Sequence, residues 1–209
     1  RRGSRVDDRL YTRRGMLKLL IGNKNYSSWS LRPWLLLKQA QIPFDEEVIS
    51  FNADDFKARV TRYAPVAKVP VLVHDDLVVW DSLAIAEYVA ETWPDRQLWP
   101  DDREARARAR SICAEMHAGF QAMRSAMPMN CETRFANVLF PVAVQKDVAR
   151  IVEIFGDCRQ RWAAAGPFLF GRFSVADAYF APVTRRFVTY GVALPEVAAR
   201  YVETIASLP

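Results

Sequence analysis

The sequence predicts two domains of different class: an α/β domain over residues 16–92 and an all-helical domain over residues 102–209. Three observations carry that reading. Up to residue 93, short apolar or β-rich runs alternate with stretches of helical periodicity. The segment "WPDRQLWPDDRE" (93–104) is then rich in proline and aspartate, and residues 93–101 read as a linker. Beyond it no strong strand pattern recurs, which is the signature of a separate helical bundle.

The elements follow in order. "MLKLLIG" (16–22) is a continuous apolar run of strand length, the mark of a buried strand. Residues 29–41 read as a helix, with Pro33 in the first turn, where its missing N–H is tolerated. "DEEVIS" (45–50) is a second strand and "DDFKARV" (54–60) a short helix. "VPVLVHDDLVVWDS" supplies two β-rich runs, 69–73 and 77–80, across the polar break His74-Asp75-Asp76, a hairpin signal. "SLAIAEYVAETW" (82–93) is an amphipathic helix with Ser82 available as its N-cap. The order is β-α-β-α-β-β-α. Its first half requires parallel strands, and the whole is the order of a thioredoxin-like domain. After the linker, residues 102–127 form one long helical pattern, capped by Asp101 or Asp102 and ended by Pro128. Residues 129–141 read as a loop and 142–163 as a helix stopped by Gly166-Pro167. Residues 173–191 form a mostly apolar helix of the kind that occupies a bundle core, opened by the capping box Ser174-x-x-Asp177. A last helix runs from about 195 to 207.

Composition narrows the function classes. The chain has 209 residues, 51% of them hydrophobic, enough for a sizeable core. The pI of about 9.3 suggests nucleic acid until the charge is located. Residues 1–15 carry six Arg and two Asp, so +4 of the net +5 lies there and +1 remains for residues 16–209. No sustained basic stripe with interleaved aromatics runs through the body, which argues against a nucleic-acid partner. Residues 1–15 read as a tag or disordered leader; they lack the apolar centre of a secretory signal. No apolar run reaches membrane-spanning length. Cys113, Cys131 and Cys158 form no C-x-x-C, and His74 and His117 are the only histidines, which argues against a disulfide framework and a zinc site. The expectation is a cytoplasmic protein without a metal.

Three short stretches carry chemistry. "NYSSWSLRPWLL" places Ser27, Ser28 and Ser30 at the mouth of the first helix. They either cap it or, with the helix dipole, stabilise a thiolate. Val69-Pro70 enters the hairpin either as an ordinary trans edge proline, the commoner state, or as a cis bond. The cis form would turn the Val69 N–H and C=O toward an extended peptide ligand. Asp81-Ser82 opens the next helix. The pair either caps it or holds an α-amino acid head, Asp81 on the ammonium and the helix N-terminus with Ser82 on the carboxylate.

Set in one β-α-β-α-β-β-α frame followed by helices, these stretches resemble the glutathione S-transferase superfamily over nearly the whole chain from Met16. "KVPVLVHDDLVVWDSLAIAEYVAE" closely resembles that family's glutathione-site segment, "FSVADAYFAPV" its C-terminal capping-box helix, and "SSWSLR" the zeta-class "SSCxWR" pattern. The resemblance implies that Ser27 is the activating serine, with Ser28 beside it. It implies that Val69 pairs with the cysteinyl backbone of glutathione, with Pro70 cis, that Asp81 and Ser82 hold the γ-glutamyl head, and that Lys68 contacts the ligand. Trp29 stands where zeta enzymes carry a cysteine, which argues against zeta isomerisation and thiol–disulfide exchange here. The second substrate would lie between the domains, with Trp29, Met116, His117, Phe120 and Arg186 as candidate walls. The implied function is a glutathione transferase. Glutathione is its co-substrate and attacks a small apolar or aromatic electrophile as a thiolate; the protein is a homodimer. Two alternatives stand beside it: a glutathione-dependent cis-trans isomerase, and a non-catalytic binding or interaction protein of the same fold.

Overall fold

The computed structural model describes residues 15–136 and 138–209. Apart from Gly15, the leader expected over residues 1–15 lies outside the described residues. The N-terminal part contains β1 (Leu17–Ile21), α1 (Ser28–Gln39), β2 (Asp45–Val48), α2 (Phe56–Thr61), β3 (Val71–His74), β4 (Leu77–Trp80) and α3 (Ser82–Thr92). The sheet order is β2-β1-β3-β4. β1 pairs parallel with β2, and the β3–β4 hairpin joins antiparallel on the other side of β1. This is the expected thioredoxin-like topology.

The run "LKLLI" is buried on both faces for a simple reason: side chains alternate along a strand. Leu17, Leu19 and Ile21 enter the main core with α1 and α3. Leu20 faces the other way and joins Val71, Ile49, Val60 and Ala64 under α2. The helical part contains α4 (Arg103–Ala118), α5 (Gln121–Ala126), α6 (Val142–Trp162), α7 (Val175–Thr189) and α8 (Glu196–Ala206). α7 is its centre. It packs against α4 and α8 and also against α1 of the sheet domain, so one hydrophobic core runs through both parts.

The expected single helix over residues 102–127 is broken. α4 ends at Ala118, Gly119 is extended, and Phe120 sits in the left-handed region at φ 59°, ψ 37°. Left-handed backbone costs a residue with a side chain about 1–2 kcal/mol. Burying the Phe120 ring, 9% exposed, returns about 2–3 kcal/mol. Arg124 then satisfies the carbonyls left at the break, its Nη1 donating to the oxygens of Met116, His117 and Gly119 at 3.2–3.3 Å. No described helix is long and apolar enough to cross a membrane.

Candidate functional site

The turn from β1 into α1 is pressed closely against its neighbours. The half-exposed Phe51 ring lies over Gly22, 2.3 Å from where a Cβ would stand, so any larger residue there would have to push that ring aside. Gly22 donates its N–H to Ser30 Oγ at 3.0 Å, and the Ser27 hydroxyl donates to the same oxygen at 2.8 Å. Ser27 is therefore buried and committed, and as N-cap of α1 it makes no capping bond. Ser28 differs. It is the first residue of α1, half-buried, and its hydroxyl has no partner among the described residues. No acidic residue in the first turn of α1 offsets the positive end of the helix dipole.

Across the cleft the Val69-Pro70 bond is cis. Among the described residues, the Val69 N–H and C=O pair with no other backbone group. Lys68 is exposed, and among those residues it makes no ion pair. At α3 the cap differs from expectation. Asp81, not Ser82, is the N-cap, its Oδ1 accepting from the N–H of Leu83 at 2.8 Å and of Ala84 at 3.4 Å. Asp81 makes these bonds at φ 73°, a strained backbone for a residue with a side chain, and such strain concentrates at functional positions.

The two parts of the chain meet at Asp81 and Ser82. His117 Nε2 lies 3.3 Å from Asp81 Oδ2, and its Nδ1 lies 3.2 Å from the Tyr179 hydroxyl. That hydroxyl is also 2.8 Å from Ser82 Oγ. A carboxylate, an imidazole and two hydroxyls thus form a closed polar chain over the N-terminus of α3. Burial raises the Tyr179 phenol further above its ordinary value, so it stays protonated as a donor.

A cavity of about 420 Å³ opens at this junction. Lys68, Val69 and Pro70 line one side, Asp81 and Ser82 the floor, and Trp29 and His117 the side toward the helical part. Val66 and Trp80 complete the wall and carried no sequence signal. The lining does not include Ser27 or Ser28, which adjoin it through Trp29. Three expected wall residues also lie elsewhere. Met116 and Phe120 are in the core, as an apolar stripe at helical spacing normally is. Arg186 is buried, donating through Nε to the Met127 carbonyl at 2.7 Å and through Nη1 to that of Pro182 at 3.2 Å. Trp34 does not line the cavity either; it donates to Glu46 Oε2 at 2.7 Å. That bond, after the one from Lys24, helps hold the Glu46 carboxyl below its ordinary range.

Trp29 has an unusual setting. The Arg32 and Arg124 guanidinium carbons lie 4.3 and 4.2 Å from its ring centroid, and the His117 ring meets it edge-on at 5.3 Å. Arg32 is 2% exposed, donating to the carbonyls of Tyr179 at 3.1 Å and Ser28 at 3.3 Å. Burial brings its pKa down to about 9; Arg186 and Arg124 push the same way, against Tyr179. None of the three cysteines lines the cavity, and no group of three or more His, Cys, Asp or Glu among the described residues is arranged to hold a metal ion.

A thioredoxin-like domain joined to a helical bundle, with a polar cleft between the cis-proline turn and a helix N-terminus, defines a class that comparison with known proteins makes specific. The model of the glutathione S-transferase N-terminal domain matches residues 26–92, and that of the C-terminal domain matches residues 141–204. The chain belongs to the glutathione S-transferase family. Its fold is similar to that of a glutathione transferase homolog from Burkholderia gl BGR1 with bound glutathione, at TM-score 0.71 and 23% identity over 92% of both chains. In sequence it is 36% identical over 98 residues to a "Probable maleylacetoacetate isomerase" of Caenorhabditis elegans, covering 47% of this chain and 45% of that protein. It is 25% identical over 182 residues to a "Stringent starvation protein A homolog" of Haemophilus ducreyi, covering 86% of this chain and 78% of that one.

Proposed function

We propose that the chain is a glutathione transferase that binds glutathione in the cavity and presents its sulfur as a thiolate to a small electrophile. One observation carries the reading: the unpaired Val69 backbone and the Asp81-Ser82 helix start face one cavity beside the free end of α1. In this reading Val69 pairs with the cysteinyl backbone and Asp81 takes the γ-glutamyl ammonium. The N–H of Ser82 takes the γ-glutamyl carboxylate. Lys68 supplies a positive charge at the rim. The sulfur then lies near the N-terminus of α1, where the dipole and a hydroxyl favour the thiolate. Ser28 is the better donor of the two serines, because the Ser27 proton already bonds Ser30. The thiol gives its proton to solvent and a sulfur lone pair forms the new S–C bond. The leaving group departs with its bonding pair or, in an addition, the acceptor gains a proton.

The test is calorimetric titration with glutathione beside a conjugation assay with a neutral aryl halide. Binding with turnover supports the transferase; no binding overturns the reading. Binding without turnover favours a non-catalytic binding or interaction protein of the same fold. An isomerase, the alternative supported by the Caenorhabditis elegans relative, is read by assaying a cis-dienoic diacid with catalytic glutathione. The family likeness also implies a cytoplasmic homodimer with contacts through α3 and α4; a monomer in sedimentation equilibrium would remove the dimer.

His117 gives a finer prediction. Its bond to Asp81 holds the carboxylate that meets the γ-glutamyl ammonium. Substituting His117 with Leu is expected to raise KM for glutathione by about 3–10-fold, the loss of one modest hydrogen bond. kcat should change less than KM. A fall in kcat alone would instead make His117 a participant at the sulfur.

A further inference from the structure

Tyr179 joins Ser82 of α3 to His117 of α4 through one hydroxyl, 2.8 Å from Ser82 Oγ and 3.2 Å from His117 Nδ1. The direction of these bonds follows from counting donors. Asp81 Oδ2 offers lone pairs only, so His117 Nε2, 3.3 Å away, carries a proton. In a neutral imidazole Nδ1 is then bare and takes the Tyr179 proton. The Tyr179 oxygen in turn takes the Ser82 proton, which is thereby spent inside the protein. Among the described residues Ser82 Oγ has no other partner. Ser82 and Tyr179 are 2% and 0% exposed, so water does not relieve the arrangement. Ser82 nevertheless lines the cavity in which a γ-glutamyl carboxylate would sit, and a carboxylate needs donors. Toward such a ligand the hydroxyl presents lone pairs. One added proton reverses the chain. With Nδ1 protonated, the imidazolium donates to the Tyr179 oxygen, Tyr179 donates to Ser82, and Ser82 donates to the ligand.

We infer that Tyr179 is a positioning residue for the γ-glutamyl head: ligand binding draws a proton onto His117, and Tyr179 relays the reversal to Ser82, whose hydroxyl then donates to the ligand carboxylate. This inference rests on the glutathione reading above and adds a proton to its binding step. One N–H bond forms, at Nδ1, with a proton given up by a buffer acid; the two hydroxyls only rotate. Tyr179 keeps its own proton throughout, since burial lifts the phenol above its ordinary value. From α3, Asp81 faces the imidazole and favours its charge. From α1, Trp29 meets it edge-on, with Arg32 over that ring. From α5, Arg124 lies over the same ring and donates to the His117 carbonyl. Lys68 stands across the cavity. These three cations oppose a further positive charge before the ligand enters. The γ-glutamyl head carries one charge of each sign, so its net charge does not supply the pull. The carboxylate's need for a donor at Ser82 does.

Calorimetry with γ-glutamyl-alanyl-glycine tests this; the tripeptide is glutathione without its sulfur, so no thiol proton is released. Heats of binding near neutral pH in phosphate, HEPES and Tris, whose ionisation enthalpies differ, give the number of protons exchanged. The unmodified protein is expected to take up about 0.3–1 proton per site and to bind about 3–10-fold more tightly at about pH 6 than at about pH 8. Tyr179→Phe breaks the relay and frees the Ser82 hydroxyl, so uptake should vanish and affinity should become nearly independent of pH without falling. Ser82→Ala should also lose the uptake, with weaker binding at every pH. A merely structural Tyr179 would change affinity and leave the proton count as it was. No uptake by the unmodified protein overturns the inference and leaves the glutathione reading intact. So does uptake that persists in either folded variant, since charge alone would then draw the proton. No binding overturns the glutathione reading itself, whose contacts this tripeptide keeps apart from the sulfur, and the inference with it. Should Tyr179→Phe fail to fold, Ser82→Ala decides by the same count.

Discussion

Replacing Ser28 with alanine is expected to raise the thiol pKa of bound glutathione by about 1–2 units and to lower kcat at neutral pH by about 10–100-fold. A hydroxyl donating to a charged sulfur favours the thiolate over the thiol, and losing it returns the sulfur toward its ordinary pKa. Ser28 is the expected donor because it opens α1 with its hydroxyl unengaged among the described residues. Ser27→Ala should behave differently. Its proton joins Ser30 Oγ, which also receives the Gly22 N–H, so its loss loosens the β1–α1 turn. The cost is about 1 kcal/mol of stability, with a smaller effect on the thiol. Both are read by titrating the bound thiol by ultraviolet absorbance. A larger pKa change in Ser27→Ala returns the role to Ser27; no change in either removes both hydroxyls from the mechanism.

Asp177→Asn is expected to cost about 3 kcal/mol and to lower Tm by roughly 6–12 °C. The carboxylate is fully buried and accepts four bonds. Oδ1 receives the Leu169 N–H at 3.0 Å and the Tyr201 hydroxyl at 3.1 Å, and Oδ2 the N–H and the hydroxyl of Ser174 at 2.9 and 3.0 Å. The hydroxyls can reverse, but the two backbone N–H groups cannot, and each needs an acceptor on a different oxygen. An amide has only one. The pH dependence has a definite sign. Burial lifts Asp177 from 3.8 to about 6, against the pull of its four bonds. The folded chain thus takes up this proton near pH 6, while the unfolded chain waits until about 3.8. The contribution of Asp177 to stability falls as pH rises through that window, and is level above it. Asparagine carries no such proton, so the gap between wild type and variant should be wider at about pH 4 than at about pH 7. Denaturant melts at the two values measure it, and an equal or narrower gap at the lower pH contradicts the assignment.

The fold was legible because its signals are local. The alternation along β1, the hairpin break at His74-Asp75-Asp76 and the Ser174-x-x-Asp177 box each report burial or capping within a few residues. The helix break at Gly119-Phe120 was not legible, since Phe120 keeps the apolar period of a continuous helix while its backbone leaves it. The cleft was legible in part. Val69-Pro70 and Asp81-Ser82 stand together there, yet the cap of α3 belongs to Asp81 and not to Ser82, since both residues are capping types and the sequence does not say at which of them the helix begins. The network around Tyr179 left no sequence trace. Tyr179 joins Arg32 from 147 residues away and His117 from 62, and no periodicity reports such a meeting. Arg32 stood in the quoted "SSWSLR" stretch, but a single arginine in a helix reads as solvated.

Tyr179 bears on how this chain can change over evolutionary time. Its carbonyl receives Arg32 and its hydroxyl meets Ser82 and His117, so one α7 residue bonds to α1, α3 and α4. The chain is modular in topology and indivisible in chemistry. A chimaera carrying the helical half of another family member could keep both folds and still lose the ligand, unless Tyr179 and His117 travelled with Arg32 and Asp81. Recombination at the linker is thus constrained by four side chains, and drift at any one of them selects for compensation across the domain boundary.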